Sequence, residues 1–266
     1  MEFIKAILLG LVQGLTEFLP ISSSGHLVLA KYFLKFGDMS DISFEIFVHL
    51  GSLIAVLIFF RKDIYELLLS IIYLKNPEYE KNRKICLWLI IATFVTGVIG
   101  ILCKDFFENL FDPIFAAVMI SITGVILFIS DRIKGKELQS SELNWKKSVF
   151  IGLGQALAIT PGISRSGTTI TFALLAGLQR KHAATFSFLL SIPAILGANL
   201  SELTTFINLE TSQLLIYFTG FVAAFISGYF VIGWLMRLIV KAKLRYFSYY
   251  CWAISAICIG LILYGF

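Results

Sequence analysis

The sequence predicts an all-α integral membrane protein: six transmembrane helices plus two re-entrant helical hairpins, arranged as an inverted repeat. Three observations predict it. The chain is too apolar to coat a soluble globule, two of its apolar stretches are broken by polar motifs, and those two stretches are copies of each other. Apolar residues (AVILMFWYC) make up 58% of the 266 residues and charged ones 15%, with a mean hydropathy of +0.87. A soluble domain carries about 25% charge. A soluble enzyme, a disordered chain and a disulfide scaffold are therefore excluded. Cys86, Cys103, Cys251 and Cys258 form no C-x-x-C pair and have no zinc-spaced histidine, so they read as small apolar packers.

A bilayer core of about 30 Å needs roughly 20 apolar helical residues. Six segments meet or approach this: Phe44–Phe60, Ile85–Leu102, Pro113–Ser130, Phe186–Leu200, Leu214–Leu238 and Phe247–Phe266. Two further stretches are interrupted. Phe3–Phe36 is broken at Leu19–His26, and Ser148–Leu178 at Pro161–Thr169. Each leaves half-helices of about 10–15 residues, or about 15–22 Å, too short to cross alone. The N-terminal stretch runs past signal-peptide length and contains Glu17, so it is expected to belong to the mature protein.

Charge chooses the topology. Lys and Arg cluster in Arg61–Lys84, Arg132–Lys147, Arg180–Lys181 and Arg237–Arg245. The positive-inside rule puts all four on the cytoplasmic side, which requires that Ser148–Leu178 enter and leave by the same face. The opposite connections are acidic: Asp38 and Asp41; Asp105, Glu108 and Asp112; Glu202 and Glu210. The first broken unit takes the same geometry by analogy. An offset of 142 residues pairs Gly10 with Gly152, Gln13 with Gln155, Ser22 with Ser164 and Gly25 with Gly167, with eight identities in sixteen ungapped positions. The halves, approximately 1–130 and 131–266 of a single membrane domain, are thus expected to be inverted, with their broken tips meeting near the midplane. Irregular backbone at that depth must be buried or line a wet cavity, which places a site between the tips.

The residues that could do chemistry lie in those breaks. Glu17 is an ionisable group at membrane depth, a cost of at least about 2.5–3.5 kcal/mol, and so needs a cavity and a partner. Gln13, one turn earlier on the same face, joins it as a hard oxygen donor suited to Mg²⁺ or Ca²⁺. Ser22, Ser23, Ser24 and Gly25 open a half-helix whose N–H groups suit an anion. A hydroxyl there is a nucleophile if a base is near, with Ser23 favoured, or simply a helix cap. His26 is placed to relay a proton or to serve as a polar strut. Arg165, between Ser164 and Ser166 and followed by Gly167, Thr168 and Thr169, presents a planar fork to phosphate; a buried salt bridge to Glu17 is the alternative, and the two are compatible. His49 and Glu45, on the Phe44–Phe60 span, are read equally well as cavity-lining or structural. Tyr246, Phe247, Tyr249, Tyr250 and Trp252 read as an interfacial aromatic belt.

The ordered stretches Gln13-Gly-Leu-Thr-Glu17-Phe-Leu-Pro-Ile-Ser-Ser-Ser-Gly-His26 and Pro161-Gly-Ile-Ser-Arg165-Ser-Gly-Thr-Thr169 resemble the two signatures of the bacterial undecaprenyl pyrophosphate phosphatase, or bacitracin-resistance, family. The resemblance covers nearly the whole chain. It implies a multi-pass enzyme of the bacterial plasma (inner) membrane, with its site open to the outer face. The enzyme would hydrolyse undecaprenyl pyrophosphate to undecaprenyl phosphate and inorganic phosphate, recycling the carrier lipid for peptidoglycan synthesis. It also implies a divalent cation, Mg²⁺ or Ca²⁺, served by Glu17 and Gln13, with Ser23 and His26 in the chemistry and Arg165, Ser164 and Thr169 on the pyrophosphate. Gln13 is the neutral variant of its position and brings one charge fewer to the metal. Expected partners are a polyprenyl pyrophosphate lipid, the membrane and a second copy of the chain as a homodimer, with no nucleic acid. The rival is a transporter or flippase of a polyprenyl phosphate lipid, since inverted repeats with broken helices are a transporter architecture. The histidine-dependent lipid phosphatases fit poorly, because Thr171 stands where their histidine would fall.

Overall fold

The computed structural model describes residues 1–37, 42–133, 137–241 and 243–265, with the side chains of 108, 235 and 237–241 left out. Asp38, Asp41, Lys134 and Lys136, used in the charge argument, lie outside the described residues, as do the side chains of Glu108, Arg237 and Lys241. The first broken stretch forms helices α1 (Glu2–Thr16) and α2 (Ser23–Leu34), and α3 (Ser43–Phe59) and α4 (Arg61–Ile72) follow. Then come α5 (Glu80–Leu102), the short α6 (Lys104–Glu108) and α7 (Pro113–Ser130). The second broken stretch forms α8 (Trp145–Leu157) and α9 (Arg165–Leu175), followed by α10 (Arg180–Ser201), the short α11 (Leu203–Ile207), α12 (Thr211–Lys241) and α13 (Arg245–Leu263).

Among the described residues, five segments are long and apolar enough to cross a membrane: Pro77–Leu102, Pro113–Ser130, Arg180–Ser201, Thr211–Trp234 and Arg245–Leu263. The sixth expected span qualifies only together with its neighbour, and α3 and α4 meet at a 78° bend. At 17 residues, α3 alone is about 25 Å long, just under the hydrocarbon thickness. The α4 helix stands in what the sequence offered as a basic loop. Its Leu68, Ile71 and Ile72 are exposed, while Ile64 and Leu67 pack on the core, the pattern of a helix lying along an interface rather than through it.

The halves interlock. The first hairpin's α1 packs on α12 of the second half, and the second hairpin's α8 packs on α5 of the first, a matching pair under the 142-residue offset. Small residues make both contacts. A Cβ at Gly10 would lie 2.1 Å from the carbonyl oxygen of Gly220, and one at Gly14 2.0 Å from Ser227 Oγ. A Cβ at Gly152, the equivalent of Gly10, would lie 2.6 Å from the carbonyl oxygen of Ala92. In hydrocarbon, where lipid is as apolar as leucine, such close packing of backbones supplies much of the helix association.

Candidate functional site

Both broken tips are built alike. Ser22 caps α2 by accepting the Gly25 N–H (3.2 Å), and Ser164 caps α9 by accepting the Gly167 N–H (3.0 Å). The hydroxyl pairs Ser22–Ser24 and Ser164–Ser166 are each 3.3 Å apart. The repeat therefore holds at the level of single hydrogen bonds. It also shortens the breaks that the sequence suggested. Gly25, His26 and the run Arg165–Thr169 already belong to the first turns of α2 and α9, because a serine hydroxyl can satisfy the helix's early N–H groups and let it start sooner. Ser22 pays for this with φ +73°, a region non-glycine residues rarely adopt.

The tips touch. Ser166 Oγ donates to the Leu19 carbonyl at 3.1 Å. A Cβ at Gly25 would stand 2.8 Å from Gly162 Cα, so glycine alone fits there. Gly162 itself turns at φ +94°, and its carbonyl accepts the Thr123 hydroxyl of α7 at 2.8 Å.

Glu17, 6% exposed, is the hub of this contact. The Arg165 guanidinium ion-pairs with its Oε1. The Ser23 hydroxyl donates to Oε2, Gln13 Nε2 donates to the same oxygen at 3.0 Å, and His49 Nε2 stands 3.4 Å away. The structure thus forms the Glu17–Arg165 bridge that the sequence held as the alternative for Arg165, with one partner from each repeat. Arg165 is also placed by the Ser187 carbonyl (3.4 Å). A buried carboxylate needs such a partner, since its desolvation is otherwise uncompensated.

The other expected residues divide. Thr169 is fully engaged, donating to the Arg165 carbonyl (2.7 Å) and bonding the Ser187 hydroxyl. Thr168 keeps a buried hydroxyl without a hydrogen-bond partner. His26 is not hydrogen-bonded to Ser23. Its Nδ1 meets the Ser22 carbonyl (2.7 Å), its Nε2 the Tyr250 hydroxyl (2.9 Å), and its ring stacks on Tyr250 at 5.6 Å. Tyr250, read from sequence as belt, is therefore also the support of His26. His49 and Ser52 join the site through α3, with Gln13 Nε2 donating to Ser52 Oγ at 3.2 Å. The signal was present in the sequence: Glu45, His49 and Ser52 fall at helical spacing along one stripe of an otherwise apolar span. Glu45 turns away to a buried ion pair with Lys31, 3.1 Å.

Gln13 Oε1 is buried with no hydrogen-bond partner, while its Nε2 faces the Glu17 carboxylate. Together with the Ser23 hydroxyl this is an oxygen donor set that suits Mg²⁺ or Ca²⁺. Mg²⁺ in particular is often held by one or two carboxylates plus substrate phosphates. No group of three or more His, Cys, Asp or Glu with metal-holding geometry occurs among the described residues, so a cation here would need further oxygens from its ligand.

Residues 6–257 match the model of the family described as Bacitracin resistance protein BacA. The undecaprenyl-diphosphatase of Methanobrevibacter smithii is 45% identical, over 97% of this chain and 96% of that protein. That of Halothermothrix orenii is 41% identical over 98% of both. That of Carboxydothermus hydrogenoformans is 44% identical over 96% of this chain and 95% of its own.

Proposed function

The chain belongs to the family of Bacitracin resistance protein BacA, and from that premise we propose that the contact between its two broken tips is the reaction centre. The protein is a membrane-embedded undecaprenyl-diphosphatase that hydrolyses undecaprenyl pyrophosphate to undecaprenyl phosphate and inorganic phosphate. One observation carries the assignment of the site: a buried carboxylate from one repeat and a guanidinium from the other meet at the tips, beside a serine hydroxyl.

In this reading the pyrophosphate competes with Glu17 for Arg165, whose planar fork suits phosphate oxygens. Glu17, released from the arginine, keeps the Ser23 hydroxyl and accepts its proton as Ser23 Oγ attacks the terminal phosphorus. The bond to the bridging oxygen breaks, and undecaprenyl phosphate departs with the electron pair. Water then cleaves the phosphoserine, and the proton held on Glu17 returns to Ser23. The N–H groups at the start of α2 and α9, with Ser22, Ser24, Gly25, Ser164, Ser166, Gly167 and Thr168, line the anion's surroundings. Glu17 and Gln13 would hold a divalent cation, Mg²⁺ or Ca²⁺, which supplies neutralisation of the pyrophosphate charge. His26, tethered to Tyr250, orients the first turn of α2. The same reading includes a homodimer and a plasma (inner) membrane location with the site open to the outer face, the latter supported by the acidic connections opposite the basic ones.

The test is phosphate release from undecaprenyl or farnesyl pyrophosphate by purified protein in detergent with Mg²⁺ or Ca²⁺. A pure flippase releases none. Arg165→Ala should lower turnover by at least about 10²-fold, the scale of losing a charge-stabilising group. A near-wild-type rate from intact Arg165→Ala protein removes the site.

A further inference from the structure

The 142-residue repeat gives the catalytic cleft a counterpart in the second half. Gln13 maps to Gln155, Glu17 to Ile159, His49 to Ser191, Gly51 to Pro193 and Ser52 to Ala194. A cavity of about 450 Å³ lies at that position, lined by Gln155, Ile159, Pro193 and Ala194 among others. Where the first half carries the acid, the second carries isoleucine, and where it carries the serine of α3, the second carries alanine. The duplicated site has therefore become apolar.

The shape of this cavity follows from two helix faces. Thr93, Thr96, Gly97, Gly100, Ile101 and Lys104 follow one stripe of α5 and its C-terminal end, and Pro193, Ala194, Gly197, Ala198, Ser201 and Glu202 follow one stripe of α10. Each has helical periodicity. The two helices run the same way, because their C-terminal ends are joined by the ion pair Lys104–Glu202 at 3.3 Å. The stripes are therefore two walls of one trough about 15 Å long. Glycine and alanine supply its width. Arg165 lines the same cavity, so the trough begins at the guanidinium that meets Glu17.

We propose that this trough is the binding subsite for the prenyl segment adjoining the pyrophosphate: the first repeat handles the charged head and its degenerate copy holds the start of the tail. The inference rests on the diphosphatase reading above and adds the site of tail recognition. The trough is apolar along its walls, with the Arg165 guanidinium at its inner end and the Lys104–Glu202 ion pair at its rim, which matches an anionic head joined directly to a short isoprenoid segment. Its volume takes only a few isoprene units, so the remainder of the chain lies in lipid. Recognition is then confined to the units nearest the head.

Two glycines make a clean test. A Cβ at Gly97 or Gly197 meets nothing within 4 Å, so leucine at either place fills the trough without a backbone clash. The measurement is kcat/KM for farnesyl pyrophosphate relative to isopentenyl pyrophosphate, for wild type, Gly97→Leu and Gly197→Leu. The expected result is that the farnesyl-to-isopentenyl ratio falls by about tenfold or more, mainly through KM, the scale of losing a few methylene contacts in a pocket. An unchanged ratio overturns the proposal, whether both substrates are lost equally or neither is affected. Should either variant fail to fold, photolabelling of the wild-type protein by a diazirine-bearing farnesyl pyrophosphate decides. Labels on α5 and α10 support the subsite, and labels elsewhere overturn it. Failure of the diphosphatase reading looks different: wild type then releases no phosphate from either substrate.

Discussion

At the scale of single residues, the centre depends on one carboxylate having several claimants. Arg165, Ser23, Gln13 and His49 all converge on Glu17. Glu17→Ala leaves the half-buried Arg165 without its counter-ion and Ser23 without an acceptor, and turnover should drop by at least about 10²-fold. Arg165→Lys should remain poor in the same phosphate-release assay, because a point charge replaces a fork that can hold two oxygens at once. Ser23→Ala separates two routes. A loss comparable to Glu17→Ala supports attack by the serine, whereas activity within a few-fold of wild type leaves water as the nucleophile and the rest of the site standing. Tyr250→Phe removes the hydroxyl that holds His26 Nε2. It should slow turnover several-fold without unfolding the protein, a result readable from kcat together with an unchanged melting temperature.

At the scale of elements, the hairpins are held by close backbone approach and by one buried ion pair. Gly14→Leu puts a side chain where Ser227 Oγ and the Ala224 carbonyl already stand, at 2.0 and 2.3 Å from the new Cβ. Overpacking of this kind costs about 1–3 kcal/mol or more, and thermal unfolding in detergent should shift down by several degrees. Gly97→Leu, with open space around it, should not shift it comparably. Lys31 of α2 and Glu45 of α3 form an ion pair whose side chains are 3% and 6% exposed. Lys31→Met alone should destabilise by about 3–5 kcal/mol, because it removes the cation that a buried carboxylate pairs with. Lys31→Met with Glu45→Leu should recover much of that loss, which denaturant titration of the two variants can measure.

At the scale of the whole molecule, the two halves are one cooperative unit. The α1 helix finds its partner in α12 and α8 finds its partner in α5, so neither half can bury its own glycine-lined face. The site itself takes one charge from each half. Fragments 1–130 and 131–266 expressed singly should aggregate, and co-expressed they should assemble and regain phosphate release. A monodisperse, folded single half would contradict this interdependence.

Composition, the two interrupted apolar stretches and the 142-residue repeat are properties of the chain itself. From them the membrane class and the broken hairpins could be read without coordinates, and Glu17, Ser23 and Arg165 could be singled out as candidates. Polar residues in hydrocarbon are costly enough to stand out wherever they occur. The bend at Phe60 was not legible, because a short apolar span and an amphipathic neighbour look like span plus loop until their angle is known. The sequence left His49 between cavity and packing, and the tether from Tyr250 to His26 was not legible, since each contact depends on which helices become neighbours across more than thirty to more than two hundred residues. Only the tertiary structure turned the Glu17–Arg165 alternative into a contact and left the second copy of the cleft as an apolar trough. The repeat specifies two similar hairpins. Which side chains face each other between them is set by the packing of small residues against distant backbones.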